Sequence, residues 1–119
     1  MVKSINMANT KTSLSINICS FNCRGFNNSN KKEFIAQLTR KCDIILLQEH
    51  WLDDSQLDIL NSVDRNMLYV GVSGFDSATI LSGRPYGGCA ILWKSNILDK
   101  VNSIVLDSKR ISAVCIYYY

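Results

Sequence analysis

The sequence predicts an α/β fold, and three stretches carry that reading. Leu14, Ile16 and Ile18 alternate with Ser15 and Asn17, the two-residue period of a strand with one apolar face. Phe34, Ile35 and Leu38 then make an apolar stripe at helical spacing. Ile44-Ile45-Leu46-Leu47 follows without interruption between polar ends, with two β-branched members, as in a parallel strand covered on both faces. Strand, helix and buried strand together form a β-α-β unit.

Taken in order, residues 1–13 (MVKSINMANTKTS) are polar and read as a disordered N-terminal tail, with the domain over residues 14–119. The first strand runs into the turn Asn22-Cys23-Arg24-Gly25. Asn30 with Glu33 three residues on resembles a capping box, and Arg40 and Lys41 suit the negative end of the helix dipole. A helix of about 11 residues is expected there. After the buried strand, a second helix is expected from Asp53 or Asp54, carried by Leu57, Leu60 and Val63. Leu68, Val70 and Val72 alternate as a third strand. Residues 73–87 form a long connection with Gly74, Gly83, Pro85 and Gly87, the kind of loop that tends to carry function. Strands are then expected over residues 88–93, 101–106 and 110 to the end.

The 119 residues, 47% hydrophobic and 19% charged, suit an ordinary globular domain and exclude a disordered or coiled-coil chain. A net charge of +3 permits a polyanionic partner without demanding one. No run approaches the roughly 18 apolar residues of a membrane-spanning helix, and the start lacks the apolar middle of a secretory signal. Five cysteines without a CxxC pair, beside a single histidine, argue against a zinc site. Cysteines within apolar strands act as small hydrophobes and point to a reducing, intracellular location, cytoplasmic or nuclear.

Asn22 and Glu49 end the first two predicted strands. If those strands are parallel neighbours, both side chains emerge at the carboxyl edge where open α/β folds bind ligands. An Asn and a Glu there could hold Mg²⁺, which takes oxygen ligands and often only one or two protein carboxylates. The plainer reading makes Asn22 a turn former and Glu49 a solvated strand end. One glycine in the turn, with neither GxGxxG nor GxxxxGK[ST], removes support for a nucleotide-binding loop. His50 reads either as a general base beside a ligand or as a half-exposed strand-end histidine. Trp51 and Trp93 read as core aromatics in preference to stacking platforms. Arg24, Lys31, Lys32 and Arg84 could contact phosphates or be plain surface charges.

Three blocks now match something specific. Ile18-Cys19-Ser20-Phe21-Asn22-Cys23-Arg24-Gly25, Cys42-Asp43-Ile44-Ile45-Leu46-Leu47-Gln48-Glu49-His50-Trp51-Leu52 and Gly83-Arg84-Pro85-Tyr86-Gly87-Gly88-Cys89-Ala90-Ile91-Leu92-Trp93 resemble, in order and spacing, the endonuclease/exonuclease/phosphatase family. The flavour is similar to the apurinic/apyrimidinic-type endonuclease domain of LINE-type retrotransposons. The resemblance covers about residues 14–118 and implies a DNase I-like four-layer α/β sandwich, of which this chain would be the N-terminal half, incomplete. It implies Mg²⁺-dependent phosphoester hydrolysis, with Mn²⁺ as a substitute and the metal held weakly. By the motif match Asn22 corresponds to the active-site Asn and Glu49 to the metal-ligating Glu, while Arg24, Arg84 and Tyr86 would face nucleic acid. The implied partners are DNA and, in a complete element, the rest of the domain or a reverse transcriptase; no membrane is implied.

After the third block none of the family's later motifs follows: a catalytic Tyr or His, an Asp-x-Asn pair and a terminal Ser-Asp-His. Tyr117–Tyr119 belong to the strand before the catalytic Tyr, and His50 does not match the terminal His. The expectation is a chain inactive on its own. Three rivals stand beside it: a same-fold phosphatase of small phosphoesters, a non-catalytic or degenerate nucleic-acid-binding remnant, and an unrelated doubly wound domain in which Asn22 and Glu49 are coincidental.

Overall fold

A computed structural model describes residues 2–8, 13–26, 29–78, 85–96 and 101–116. The elements are β1 (Val2–Ala8), β2 (Ser13–Asn22), α1 (Ser29–Lys41), β3 (Ile44–Gln48), a 3-10 helix (Leu57–Ser62), β4 (Met67–Val72), β5 (Cys89–Lys94), β6 (Val101–Ile104) and β7 (Ala113–Ile116). β1 to β5 form one sheet in the order β1-β2-β3-β5-β4, and β6 pairs with β7 in a second. Among the described residues only β2 and β3 run parallel, with Ile18 opposite Ile44 and Asn22 opposite Gln48; α1 lies in the crossover between them. The other pairings are antiparallel.

The two-residue period sorts the core into two layers. Ile45 and Leu47 of β3 pack with Cys19, Ala90 and Leu92 toward α1 and the 3-10 helix, where Ile35 and Leu60 meet them. Ile44 packs the opposite way with Ile16, Ile91 and Trp93, and Leu46 joins them beneath Val101, Val114 and Ile116 of the hairpin. β3 is therefore covered on both faces. Helices, large sheet and small sheet make three layers of the α/β sandwich among the described residues, and the fold is a fragment of the DNase I-like type. At the opposite end of the strands, Asp43 accepts the Asn17 N–H at 2.9 Å and pairs with Lys94 at 3.6 Å, tying β2, β3 and β5 together.

Four local expectations change. Residues 2–8, read as part of a tail, form β1, because Ile5 and Met7 keep the strand period and the free edge of β2 supplies partners. The second helix is a 3-10 helix confined to Leu57–Ser62: Leu57, Leu60 and Val63 recur every third residue, which is its own period. Leu60 is buried. Helix α1 begins at Ser29, so Asn30 falls inside the first turn instead of capping it. β6 stops at Ile104, leaving Val105 94% exposed. Residues 117–119 lie outside the described residues. No helix among the described residues is long and apolar enough to cross a membrane.

Leu92 is 0% exposed at the centre of the helix-side layer. Leu92→Ala should cost about 2–5 kcal/mol through lost burial and a cavity, whereas Val105→Ser should stay within about 0.5 kcal/mol. Urea unfolding of both variants checks the contrast.

Candidate active site

The parallel register of β2 and β3 brings Asn22 and Glu49 to the same sheet edge, and backbone pairing continues beyond it. Cys23 N–H donates to Gln48 O, Gly25 N–H to Glu49 O and Phe26 N–H to His50 O, each at 2.8 Å. From the other side, His50 N–H donates to Gly88 O at 3.4 Å and Trp51 N–H to Gly87 O at 3.0 Å. Residues 49–51 are thus clamped between two loops. The clamp forces unusual backbone: Glu49 (φ 56°), Trp51 (φ 59°) and Arg24 (φ 48°) all lie in the left-handed region. Each such residue costs about 1–3 kcal/mol unless its surroundings enforce it, and such residues gather at functional sites.

His50 does the enforcing. It is 0% exposed, its Nε2–H donates to Val72 O at 2.9 Å, and its Nδ1 accepts the Leu52 N–H at 3.0 Å. Both nitrogens are committed and the ring is neutral, with burial pushing its pKa below the ordinary 6.5. His50 is neither a general base nor a half-exposed strand-end residue; it is the post around which the strand end is wound. Gly88 (φ +91°) fits against it because a Cβ there would sit 2.2 Å from the ring.

The Glu49 carboxylate is held in one orientation. Its Oε2 accepts Trp51 Nε1–H at 2.8 Å and Gly87 N–H at 3.3 Å. The Trp51 ring lies against Gly25 (φ +97°), where a Cβ would come within 2.7 Å of it. Trp51 is therefore a carboxylate-positioning residue, a role the sequence reading as a core aromatic missed; Trp93 is a core residue, 7% exposed. Asn22 is exposed, and its Oδ1 accepts the Arg24 N–H at 3.2 Å in a tight turn. Lys31 Nζ donates to Cys23 O in the same turn. Cys23 is buried and its thiol is pushed up to about 12 by desolvation, so it serves as a small hydrophobe.

A cleft of about 600 Å³ opens at Glu49, lined also by Gln48, Gly74, Tyr86, Gly87, Gly88, Cys89, Lys109 and Arg110. Tyr86 is 54% exposed and tilts at 43° against Phe75, with ring centroids 5.7 Å apart. Gly74 lies so close to the returning limb of its loop that a Cβ would stand 2.6 Å from Tyr86 O. The cleft thus gathers Glu49 and Tyr86 from the sequence expectations. Asn22 and Arg24 occupy the neighbouring turn and do not line it; Arg84 lies outside the described residues. Lys109 and Arg110 went unrecognised in the sequence, where a basic pair in a loop carries no periodic signal.

Among the described residues, no group of three or more His, Cys, Asp or Glu side chains is placed to hold a metal. The oxygen donors at this edge are the Glu49 carboxylate and the amide oxygens of Asn22 and Gln48, the last of which accepts from Ser20 Oγ–H, and Glu49 Oε1 makes no hydrogen bond among the described residues. Hard oxygen donors in small number fit a cation that retains most of its water, as Mg²⁺ does.

The model of the endonuclease/exonuclease/phosphatase family matches residues 19–115 of this chain. No curated protein matches it.

Because the folded state disfavours His50 protonation, the unfolded chain binds the extra proton more readily. This contribution to stability should be fully present above pH 6.5 and lost progressively as pH falls below it. Urea midpoints between pH 8 and 5 should show that loss, and His50→Gln should lack it. Gly88→Ala, which drives a methyl into the ring at a left-handed position, should destabilise by about 2 kcal/mol or more, measurable by thermal melting.

Proposed function

The chain belongs to the endonuclease/exonuclease/phosphatase family, and from that premise we propose that it is the N-terminal part of a retrotransposon-type, Mg²⁺-dependent endonuclease domain directed at DNA. The observation that carries the reading is the fixed Glu49 carboxylate, beside Asn22 at the carboxyl edge of the parallel β2–β3 pair and at the mouth of a cleft. The three blocks of sequence similarity support the retrotransposon flavour.

Glu49 and Asn22 would hold the ion. When bound, it supplies polarisation of a phosphoryl oxygen and stabilisation of the leaving oxyanion. The residues of the chain do the rest. Trp51 and Gly87 keep the carboxylate from rotating, so its open oxygen points one way. The exposed Tyr86 ring offers a face on which a base can stack. The five cysteines are free, in keeping with a cytoplasmic or nuclear setting.

Water activation is another matter. Phosphoester hydrolysis needs a group within reach of water to take a proton, and the sole histidine has both ring nitrogens committed inside the core. That observation favours a second reading of the chain by itself, DNA binding without turnover.

Two measurements test the reading. Supercoiled plasmid incubated with the chain and Mg²⁺ should be nicked no more than in the EDTA control; Mg²⁺-dependent nicking abolished by Glu49→Ala would overturn the claim of inactivity. Titration with Mn²⁺, read by water-proton relaxation, should show one weak site lost in Glu49→Ala and weakened about tenfold in Trp51→Phe, since partners that orient a ligand support its affinity. Unaltered Mn²⁺ binding in Glu49→Ala would remove Glu49 from the metal site.

A further inference from the structure

We propose that Lys109 and Arg110 form a phosphate-binding pair that holds a backbone phosphate of DNA across the cleft from Glu49, an inference that rests on the nucleic-acid reading of this cleft. Both side chains are exposed, adjacent and in the loop joining β6 to β7, and both line the cleft that contains Glu49. The only ion pair among the described residues joins Lys94 to Asp43. Glu49 and the two cations therefore share one cleft without touching, and its charge balance is positive by one. A space of about 600 Å³ lies within the range of small-ligand sites and admits a nucleotide unit.

The loop is pinned next to the catalytic edge. Ser112 Oγ–H donates to Cys89 O at 3.0 Å, Cys89 Sγ–H donates to Arg110 O at 3.3 Å, and Arg110 N–H donates to Ser108 Oγ at 3.1 Å. Cys89 is the register partner of Gln48, the residue before Glu49. The Arg110 backbone is thus tied to the strand that flanks Glu49, so less order has to be imposed when an anion binds. A guanidinium also presents paired N–H donors that match phosphate oxygens. Lys109 additionally lines a neighbouring small cleft with Asp54 and Asp76, which draws part of its field away from Glu49. Arg110 carries the larger share.

The test uses the full chain, without metal, and two probes. Anisotropy of a fluorescein-labelled DNA duplex between 50 and 200 mM KCl gives affinity and salt slope, and ³¹P line broadening of inorganic pyrophosphate reports binding of a phosphate outside nucleic acid. Lys109→Ala/Arg110→Ala should weaken duplex binding about tenfold and flatten the log–log salt slope by ~0.9, the share of the one phosphate the pair holds. Arg110→Lys should retain the slope, and thermal midpoints should match wild type. Duplex binding and slope unchanged in the double variant would overturn the cation pair and leave the nucleic-acid reading standing. Pyrophosphate binding lost in the double variant, with no duplex binding by wild type, would uphold the pair as a phosphate site and overturn DNA as its ligand. Binding of neither probe by wild type would overturn both.

Discussion

Ile44, Ile45, Leu46 and Leu47 leave β3 with no face suited to water, so the strand must be roofed on both sides before it is stable. Burying one such side chain is worth about 1.5–3 kcal/mol, and collecting that gain on both faces demands two separate layers. α1 and the 3-10 helix supply one, the β6–β7 hairpin the other. The same requirement places β2 and β5 on its two edges and sends β3 through the middle of the sheet. Glu49 follows its last residue directly. The carboxylate is therefore carried by the central strand of the large sheet, covered on both faces, and the hairpin that roofs the far side brings Lys109 and Arg110 to it.

Rigidity in β3 does not by itself explain the backbone at residues 49–51. Two left-handed non-glycine residues on either side of a buried histidine would relax if nothing opposed them. Opposition comes from the imidazole, whose two nitrogens satisfy backbone groups of Val72 and Leu52 in a place water cannot reach. Releasing the strain would leave those groups unpaired, at about 1–3 kcal/mol for each buried one. The glycines at 25 and 88 let Trp51 and His50 lie directly on neighbouring backbone. The strain is balanced locally, by hydrogen bonds and close packing within a few residues of where it arises.

Most of the architecture was legible in the sequence because it follows from periodicity. The alternation at Ile16–Ile18, the unbroken run at 44–47 and the stripe at Ile35 and Leu38 each became the expected element, and the Asn22 and Glu49 strand ends met at one edge as a parallel pairing requires. Elements held by an edge or a fractional turn were not legible: β1 keeps only Ile5 and Met7 in one alternation, too short a pattern to announce a strand, and a three-residue spacing at Leu57, Leu60 and Val63 looks helical until the turn is measured. The site was legible only where a motif named it. His50 misled because both of its readings, a general base and a half-exposed strand-end residue, assumed contact with solvent that the fold denies it, and the Lys109–Arg110 pair was invisible because its meaning depends on a hairpin docking beside Cys89.

These pieces bear on one another through charge. A freely rotating Glu49 would be drawn toward Lys109 and Arg110, since opposite charges in a partly enclosed cleft attract by a few kcal/mol at contact. Such a contact would neutralise one cation and close the space a phosphate needs. Trp51 Nε1–H and Gly87 N–H compete for the same carboxylate with two directed hydrogen bonds, and in the structure they hold it. The left-handed turn is what puts the indole of Trp51 within reach of a residue only two positions away. The strained backbone at Glu49 and Trp51 thus goes with a carboxylate held away from the cations of its own cleft, the separation that the proposed metal and phosphate contacts both require.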